Sequence, residues 1–452
     1  MIPKIFPAIA CWLLAIVAWQ SFDRQTCFGH DQVPGAPQTR PILIRGATVH
    51  PVDAATLDRG DVLFVEGKIT AVGRDIDVPD DAQIIDGDGS HVYPGLFESM
   101  TDLGLREISA VDETVDRTEF GSENPNVRSW VAVNPDSELI PVARAGGLLI
   151  ANVAPGGRWI RGQSAVMQLD GWTADEMNLS APSGLCVDWN NMTPGGDDDA
   201  ATVKKREEKL KELDDRLDEA VRYARARRAA RDAGELDSFD TDLKLESLLP
   251  VIQGQMPMIA QADRQATMQS AVAYAQSRGI KLVIYGGYDA EDCADLLLAH
   301  DVPVIVAGTY RLPLRRSDSY DASYTLPARL QAKGVKFSIC GEGPGYPGGA
   351  SQARNLPYHA GCAVAYGLDR DLAVRSITLS PAEILGVADR VGSLTVGKDA
   401  TLIVATGDIL ETSSNVTAAF IQGRRVDLGS RHTMLYEKYK RKYQTQSESS
   451  DD

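Results

Sequence analysis

The chain has 452 residues, 43% of them apolar and 24% charged, and 63 Asp and Glu against 46 Lys and Arg give a formal charge of −17. That length exceeds one ordinary domain but accommodates a barrel of about 250 residues plus a smaller module, and the apolar share supplies a sizeable core, which excludes general disorder. The acidic balance excludes nucleic acid as a partner, because an anionic surface repels phosphate and no Lys/Arg block is interleaved with aromatics.

Residues 5–19 form an apolar run with Lys4 ahead of it and Asp23-Arg24 behind. This is the layout of a secretory signal; the run is short for a membrane span, and an uncleaved N-terminal membrane anchor is the alternative. The protein is therefore expected to be exported, to a periplasm or the extracellular space. With the Gly-, Pro-, Gln- and Asp-rich stretch that follows, residues 1–40 read as signal peptide and flexible leader. The six cysteines (Cys11, Cys27, Cys186, Cys293, Cys340 and Cys362) include no Cys-x-x-Cys pair, which points to isolated thiols and not to a disulfide scaffold or thiolate metal site.

Between residues 41 and 90 short alternating segments (42–44, 61–65, 68–72 and 82–85) are separated by Gly and Asp, with Glu66-Gly67 as a tight hairpin turn. Residues 391–430 carry a second set, at 400–405, 416–422 and 424–427. Between these ends eight further strands are predicted, at 92–97, 148–153, 164–169, 184–189, 257–261, 280–285, 303–307 and 335–340. Helical patterns at 264–277, 290–300 and 325–332 follow several of them. Strands alternating with helices predict a parallel sheet with covered faces, and eight such units fit an α/β (β/α)8 barrel over residues 91–390. A long polar connection from Arg106 past Asn134-Pro135 follows the first strand, and reads equally as a lid or as surface padding. Residues 201–233 read as an inserted, highly charged helix whose Leu210, Leu213, Leu217 and Val221 form an apolar stripe suited to packing on the barrel. Residues 431–452 read as a C-terminal tail.

The segment His91-Val92-Tyr93-Pro94-Gly95-Leu96-Phe97-Glu98-Ser99-Met100-Thr101-Asp102-Leu103-Gly104 resembles the first barrel strand of the amidohydrolase superfamily. There a Pro-Gly corner, an apolar pair and an Asp precede a His-x-His pair that binds the catalytic metal; Glu98 stands at the Asp position, and Met100 and Asp102 at the two histidines. Val391 to Ala400 resembles the family's post-barrel phrase. Asn355 to Gly361, Leu379 to Gly386 and Val426-Asp427-Leu428 bring the likeness closest to the imidazolonepropionase-related branch. The resemblance covers about residues 41–443. It implies a (β/α)8 TIM barrel flanked by a small β-sandwich built from both chain ends, 41–90 and 391–430, and hydrolysis of cyclic-amide, imidazolone or dipeptide-like C–N bonds.

A hydrolytic Zn centre needs several imidazole and carboxylate ligands converging with a vacant position for water. The six histidines stand at 30, 50, 91, 300, 359 and 432, and none lies between 92 and 299, where the resemblance demands at least three. Gln261 replaces the fifth-strand His, the sixth strand ends in Tyr285-Gly286-Gly287, and Glu342 stands near the metal-bound Asp. The expectation is a barrel that has lost Zn and needs no cofactor, whose mouth presents Glu98, Asp102, Asp188, Gln261, Asp263, Arg264, Tyr285, Glu342, Asn355 and His359, with Arg161 close by. Glu98, Asp102 and Glu342, from the first and eighth strands, are the candidate catalytic groups; together they could hold Ca2+ or Mg2+, which take oxygen ligands, act as an acid/base set, or simply pair with Arg161 or Arg264. Gly156-Gly157 beside Arg161 could line an anion pocket, although no P-loop pattern is present. The function expected is binding of a small molecule without family-type catalysis, or stabilisation of a partner as a homo-oligomer or as a heteromer with an active homologue. The alternative is a hydrolase of non-peptide C–N bonds using rearranged carboxylate chemistry.

Overall fold

A computed structural model describes residues 32–190, 192, 200–345 and 348–450, with side chains to residue 444. The apolar run at 5–19, Cys11 and Cys27 lie outside the described residues. From residue 34 onward two eight-stranded sheets organise the chain.

The N-terminal part supplies β1 (Ile42–Val49), β2 (Leu57–Val65), β3 (Lys68–Gly73), β4 (Gln83–Asp86) and β5 (His91–Pro94). The barrel strands follow as β6 (Leu96–Thr101), β7 (Leu148–Val153), β8 (Ile160–Gln168), β9 (Asn178–Asp188), β10 (Met258–Ala262), β11 (Leu282–Gly286), β12 (Val304–Ala307) and β13 (Phe337–Cys340). They pair in sequence order from β6 to β13, and most of their residues are buried, as strands covered on both faces require. β14 (Leu402–Ala405), β15 (Val416–Ile421) and β16 (Arg424–Arg425) return to the first sheet, in the order β16-β15-β14-β5-β1-β2-β3 with β4 on β1.

That first sheet is one continuous hydrogen-bonded sheet, where two packed sheets were expected. Phe64 on β2 nevertheless meets Phe420 on β15 edge to face, with ring centroids 5.1 Å apart. Three strands lie between them in the sheet order, so a flat sheet would hold them roughly 19 Å apart at about 4.8 Å per strand. The sheet therefore curls over its own core, which includes Ile44, Val92, Leu402 and Phe420.

The predicted strand at 92–97 divides at Gly95. Pro94 pairs with Leu402 in the curled sheet, while Leu96 pairs with Leu148 in the barrel. Gly95 is the step between them: a Cβ there would lie 2.9 Å from the Leu149 Cβ. His91 consequently belongs to the curled sheet, where its ring stacks with those of His50 and Tyr93.

One barrel strand runs against expectation. β8 is antiparallel to both β7 and β9 and starts at Ile160, ahead of the predicted 164. A parallel connection needs about a dozen residues or more, and residues 154–159 allow only a hairpin. The start of β8 therefore lies at the same end of the barrel as the C-terminal ends of its parallel neighbours. β13 and β6 share no strand ladder; Ser99 and Ser338 bridge this seam with an Oγ–Oγ hydrogen bond of 2.9 Å.

Among the helices, α1 (Leu139–Ala145) precedes β7, and the charged insertion forms α2 (Ala200–Ala233). Leu213, Leu217, Ala220 and Tyr223 of α2 are buried in the barrel's hydrophobic core cluster, while Leu210 is half-buried. Arg225, Arg228 and Arg231 sit on or toward the solvated side, and Arg227 pairs with Glu246 at 3.1 Å. α3 (Leu243–Ile252), α4 (Gln265–Arg278), α5 (Ala322–Lys333) and α6 (Leu356–Ala365) complete the part that positions the site. The expected tail begins as a helix, α7 (Arg431–Ser450), with Met434, Tyr436, Tyr439 and Tyr443 exposed. Among the described residues no helix is long and apolar enough to cross a membrane.

Candidate functional site at the barrel mouth

A cavity of about 880 Å³ opens at the barrel mouth. Its wall is formed by residues at the ends of β10 and β11 (Gln261, Asp263, Tyr285), after β12 and β13 (Arg311, Glu342) and in the β7–β8 hairpin (Gly156, Arg158, Arg161). The long connection after β6 also reaches it, with Arg117 to Ser122 along one side. That connection is held to the first residues of β8: Ile160 N–H donates to Ser122 O at 2.9 Å, and Gln163 N–H to Val127 O at 2.8 Å. Backbone pairing there places Arg117 over the mouth.

The three candidate catalytic carboxylates do not gather. Glu98 is 1% exposed, and its two carboxylate oxygens accept the Gly341 N–H at 3.1 and 3.0 Å. Burial pushes its carboxyl up to about 8, against the opposing effect of the Gly341, Met100 and Ser99 N–H groups and of Cys340. Asp102, also fully buried, pairs with Arg106 at 2.9 Å and accepts the Gly345 N–H at 3.2 Å through the same oxygen, Oδ2; its Oδ1 has no hydrogen-bond partner. Glu342 alone lines the cavity, half-buried, its carboxyl raised by that burial. Glu98 and Asp102 were expected beside it; hydrogen bonds to the loop after β13 hold both beneath that loop.

The other expected groups divide in the same way. Gln261, Asp263, Tyr285 and Arg161 line the cavity. Asp188, at the end of β9, holds Arg161 at 3.1 Å. Arg264 was, with Arg161, one of two partners offered for Glu98, Asp102 and Glu342 if those carboxylates were simply paired. It stands exposed at the N-cap of α4, and a different arginine, Arg311, pairs with a mouth carboxylate, its Nη1 3.3 Å from Asp263 Oδ1. Asn355 lies away from the cavity, at the N-cap of α6, where it donates to Gln352 Oε1 at 2.7 Å. His359 is 1% exposed inside the fold: its Nδ1 accepts the Thr309 N–H at 3.1 Å, its ring packs on Tyr310, and burial lowers its pKa to about 4.

Arg117, Arg158 and Arg311 were not anticipated at the mouth. Arg311 had a usable signal, since it closely follows the predicted strand at 303–307 and so belongs at that strand's C-terminal end. Arg117 had none, because its place depends on the pairing of a long loop with β8.

The donor set is a poor match to the divalent metal that the amidohydrolase resemblance implies. Among the described residues no three His, Cys, Asp or Glu side chains form a group able to hold a metal ion. Glu98 is engaged by N–H donors and Asp102 by a guanidinium. Around the cavity Arg117, Arg158, Arg161 and Arg311 outnumber Glu119, Asp263 and Glu342, a balance that does not favour a dication. Cys186, Cys293, Cys340 and Cys362 are free thiols.

Comparison with known proteins places these observations in a family context. A model of the amidohydrolase family matches residues 313–426. Amidohydrolase tasK of Hapsidospora irregularis is 24% identical over 404 residues, which take in 80% of this chain and 39% of that protein. The chain thus spans about two fifths of the length of this curated relative. The crystal structure of an amidohydrolase from Thermotoga maritima MSB8 matches with a TM-score of 0.74 and 27% identity, over 85% of this chain and 99% of that one. A prolidase complexed with N-methylphosphonate-L-proline matches with a TM-score of 0.52 and 16% identity, over 86% and 99% of the two chains, a likeness of fold. Together the matches support the amidohydrolase superfamily and the barrel with its accessory sheet.

Proposed function

We propose that the protein is an exported amidohydrolase-superfamily member whose barrel mouth binds a small molecule without family-type metal hydrolysis. One observation carries this reading: the positions that would supply metal ligands have other partners. Asp102, at the second His position, is ion-paired with Arg106; Glu98 is hydrogen-bonded to Gly341; and Gln261 and Tyr285 stand at the ends of β10 and β11. Export is supported by the signal-like run at 5–19. Assembly as a homo-oligomer or with an active homologue is compatible with the same reading.

The second reading, hydrolysis of cyclic-amide or dipeptide-like C–N bonds by carboxylates, draws on Glu98. With its pKa at about 8 it could act as an acid near neutrality. Its burial beneath Gly341 weighs against contact with a substrate in the cavity.

Elemental analysis of the purified protein, with hydrolysis assays on N-acyl amino acids and dipeptides, tests the proposal. The expected result is substoichiometric metal and no metal-dependent turnover. Stoichiometric metal that is lost, together with hydrolysis, in Glu98→Ala or Glu342→Ala would overturn it.

A further inference from the structure

Among the described residues the Arg117 guanidinium has no hydrogen-bond partner. Its nearest charged partner is Asp102, whose Oδ2 lies 4.0 Å from Arg117 Nε and is already held by Arg106 and by Gly345 N–H. The side chain is 25% exposed and faces the cavity. An arginine whose N–H donors meet no acceptor among the described residues, in a half-buried position, carries a desolvation cost that a matching acceptor would offset.

The two glycine-rich passages leave room for this side chain. A Cβ on Gly156 would lie 2.7 Å from Arg117 Nη1, and one on Gly345 would lie 2.9 Å from the same atom. The Gly156 N–H also donates to Arg117 O at 2.6 Å. The hairpin between β7 and β8 and the loop after β13 thus approach one guanidinium from two sides, each by a residue without a side chain.

Two more arginines flank it. Arg161 is the second residue of β8 and Arg311 follows β12, strands four places apart in an eight-stranded barrel and so on opposite sides of the mouth. Each is steadied by a carboxylate through a single oxygen, Asp188 for Arg161 and Asp263 for Arg311. Arg311 Nη1 also donates to Ala307 O at 3.3 Å, and among the described residues Arg161 Nε is buried without a partner. Both reach the neighbourhood of the buried Tyr285, where their charges oppose the upward push of burial on the phenol. Burial lowers the pKa of Arg117; Asp102 opposes that shift, while the like charges of Arg106 and Arg161 add to it.

We infer that the barrel mouth is an oxyanion site for a small molecule bearing a carboxylate or phosphate group, anchored by Arg117 and flanked by Arg161 and Arg311. This rests on the small-molecule reading above and names the ligand's chemistry. Planar guanidinium forks suit paired oxyanion contacts, and an anion would relieve the crowding of like charges.

Calorimetric titration of the full chain with glutarate, inorganic phosphate and the uncharged glutaramide tests it. Binding of at least one anion and not of glutaramide is expected. Arg117→Gln should weaken the anion by about tenfold or more, with the thermal midpoint little changed because the bond to Gly156 is made by the backbone and the guanidinium has no hydrogen-bond partner among the described residues. Arg117→Lys, which keeps the charge, should recover part of the loss. Preference for glutarate assigns a carboxylate and preference for phosphate a phosphate ester, and either supports the site. Equal binding of glutaramide, unchanged anion affinity in Arg117→Gln, or no binding of either anion would overturn it. Stoichiometric metal in the same sample would instead overturn the reading on which it rests.

Discussion

Glu98 on the first barrel strand accepts the backbone N–H of Gly341, just past the last strand, with both carboxylate oxygens. This contact crosses the one edge of the barrel where strand pairing does not close the ring, and the Ser99–Ser338 hydrogen bond lies beside it. Glu98 therefore ties the first barrel strand to the loop after the last.

Glu98→Gln keeps an acceptor for Gly341 and removes the buried charge. Glu98 protonates near 4.5 when unfolded and near 8 in the fold. Its contribution to stability is thus fully present below pH 4.5 and is lost as pH rises through 8. Urea unfolding should find the variant more stable than the parent by about 1–3 kcal/mol above pH 8 and close to it at pH 4.5. A constant difference across that range would refute a titrating Glu98.

His359 has the opposite dependence. Burial holds its pKa at about 4, against 6.5 for a free imidazole, so its contribution is complete above pH 6.5 and disappears as pH falls through 4. His359→Ala leaves the Thr309 N–H without its acceptor and should cost about 1–3 kcal/mol at pH 7. His359→Asn, which offers an oxygen near the Nδ1 position, should recover part of that and reduce the acid sensitivity. Titration of the His359 ring by NMR provides the direct check, and a midpoint near 6.5 would contradict it.

Asp170 joins the barrel to the curled sheet. It pairs with the buried Arg144 of α1 at 2.7 Å and with Arg424 of β16 at 3.7 Å, and accepts the Gly35 N–H at 3.1 Å. Asp170→Asn would leave Arg144 as a buried charge without its counter-ion and should destabilise the protein by roughly 3–5 kcal/mol. Adding Arg144→Met should restore much of the loss. A double variant as unstable as the sum of its parts would show that the pair is not coupled.

Gly95→Ala should cost about 1–3 kcal/mol, because the added methyl meets Leu149 Cβ and Cδ1, both 2.9 Å away in a packed core. Denaturant midpoints measure this; a neutral result would mean that the two sheets slide more easily than their packing implies.

The two-part fold was readable because its signals are local. Alternating segments at both ends and apolar runs between turns mark strands wherever they pair, and β7 coincides with the prediction at both ends. The reversal of β8 was also present in the sequence as a connection too short for a crossover. At the site, Gln261, Asp263 and Tyr285 were legible because strand ends in a barrel point to its mouth. The place of Arg117 and the pairing of Arg311 with Asp263 depend on loop paths fixed by long-range hydrogen bonds, which periodicity does not carry.

At Gly95 the backbone passes from one sheet to the other within a single residue, and β5 on the near side pairs with β14, from the far end of the chain. During synthesis β1 to β5 emerge first, yet the curled sheet lacks β14 and β15 until the barrel between them has been made. The N-terminal strands cannot complete a unit of their own, so the two sheets should be acquired, and lost, together.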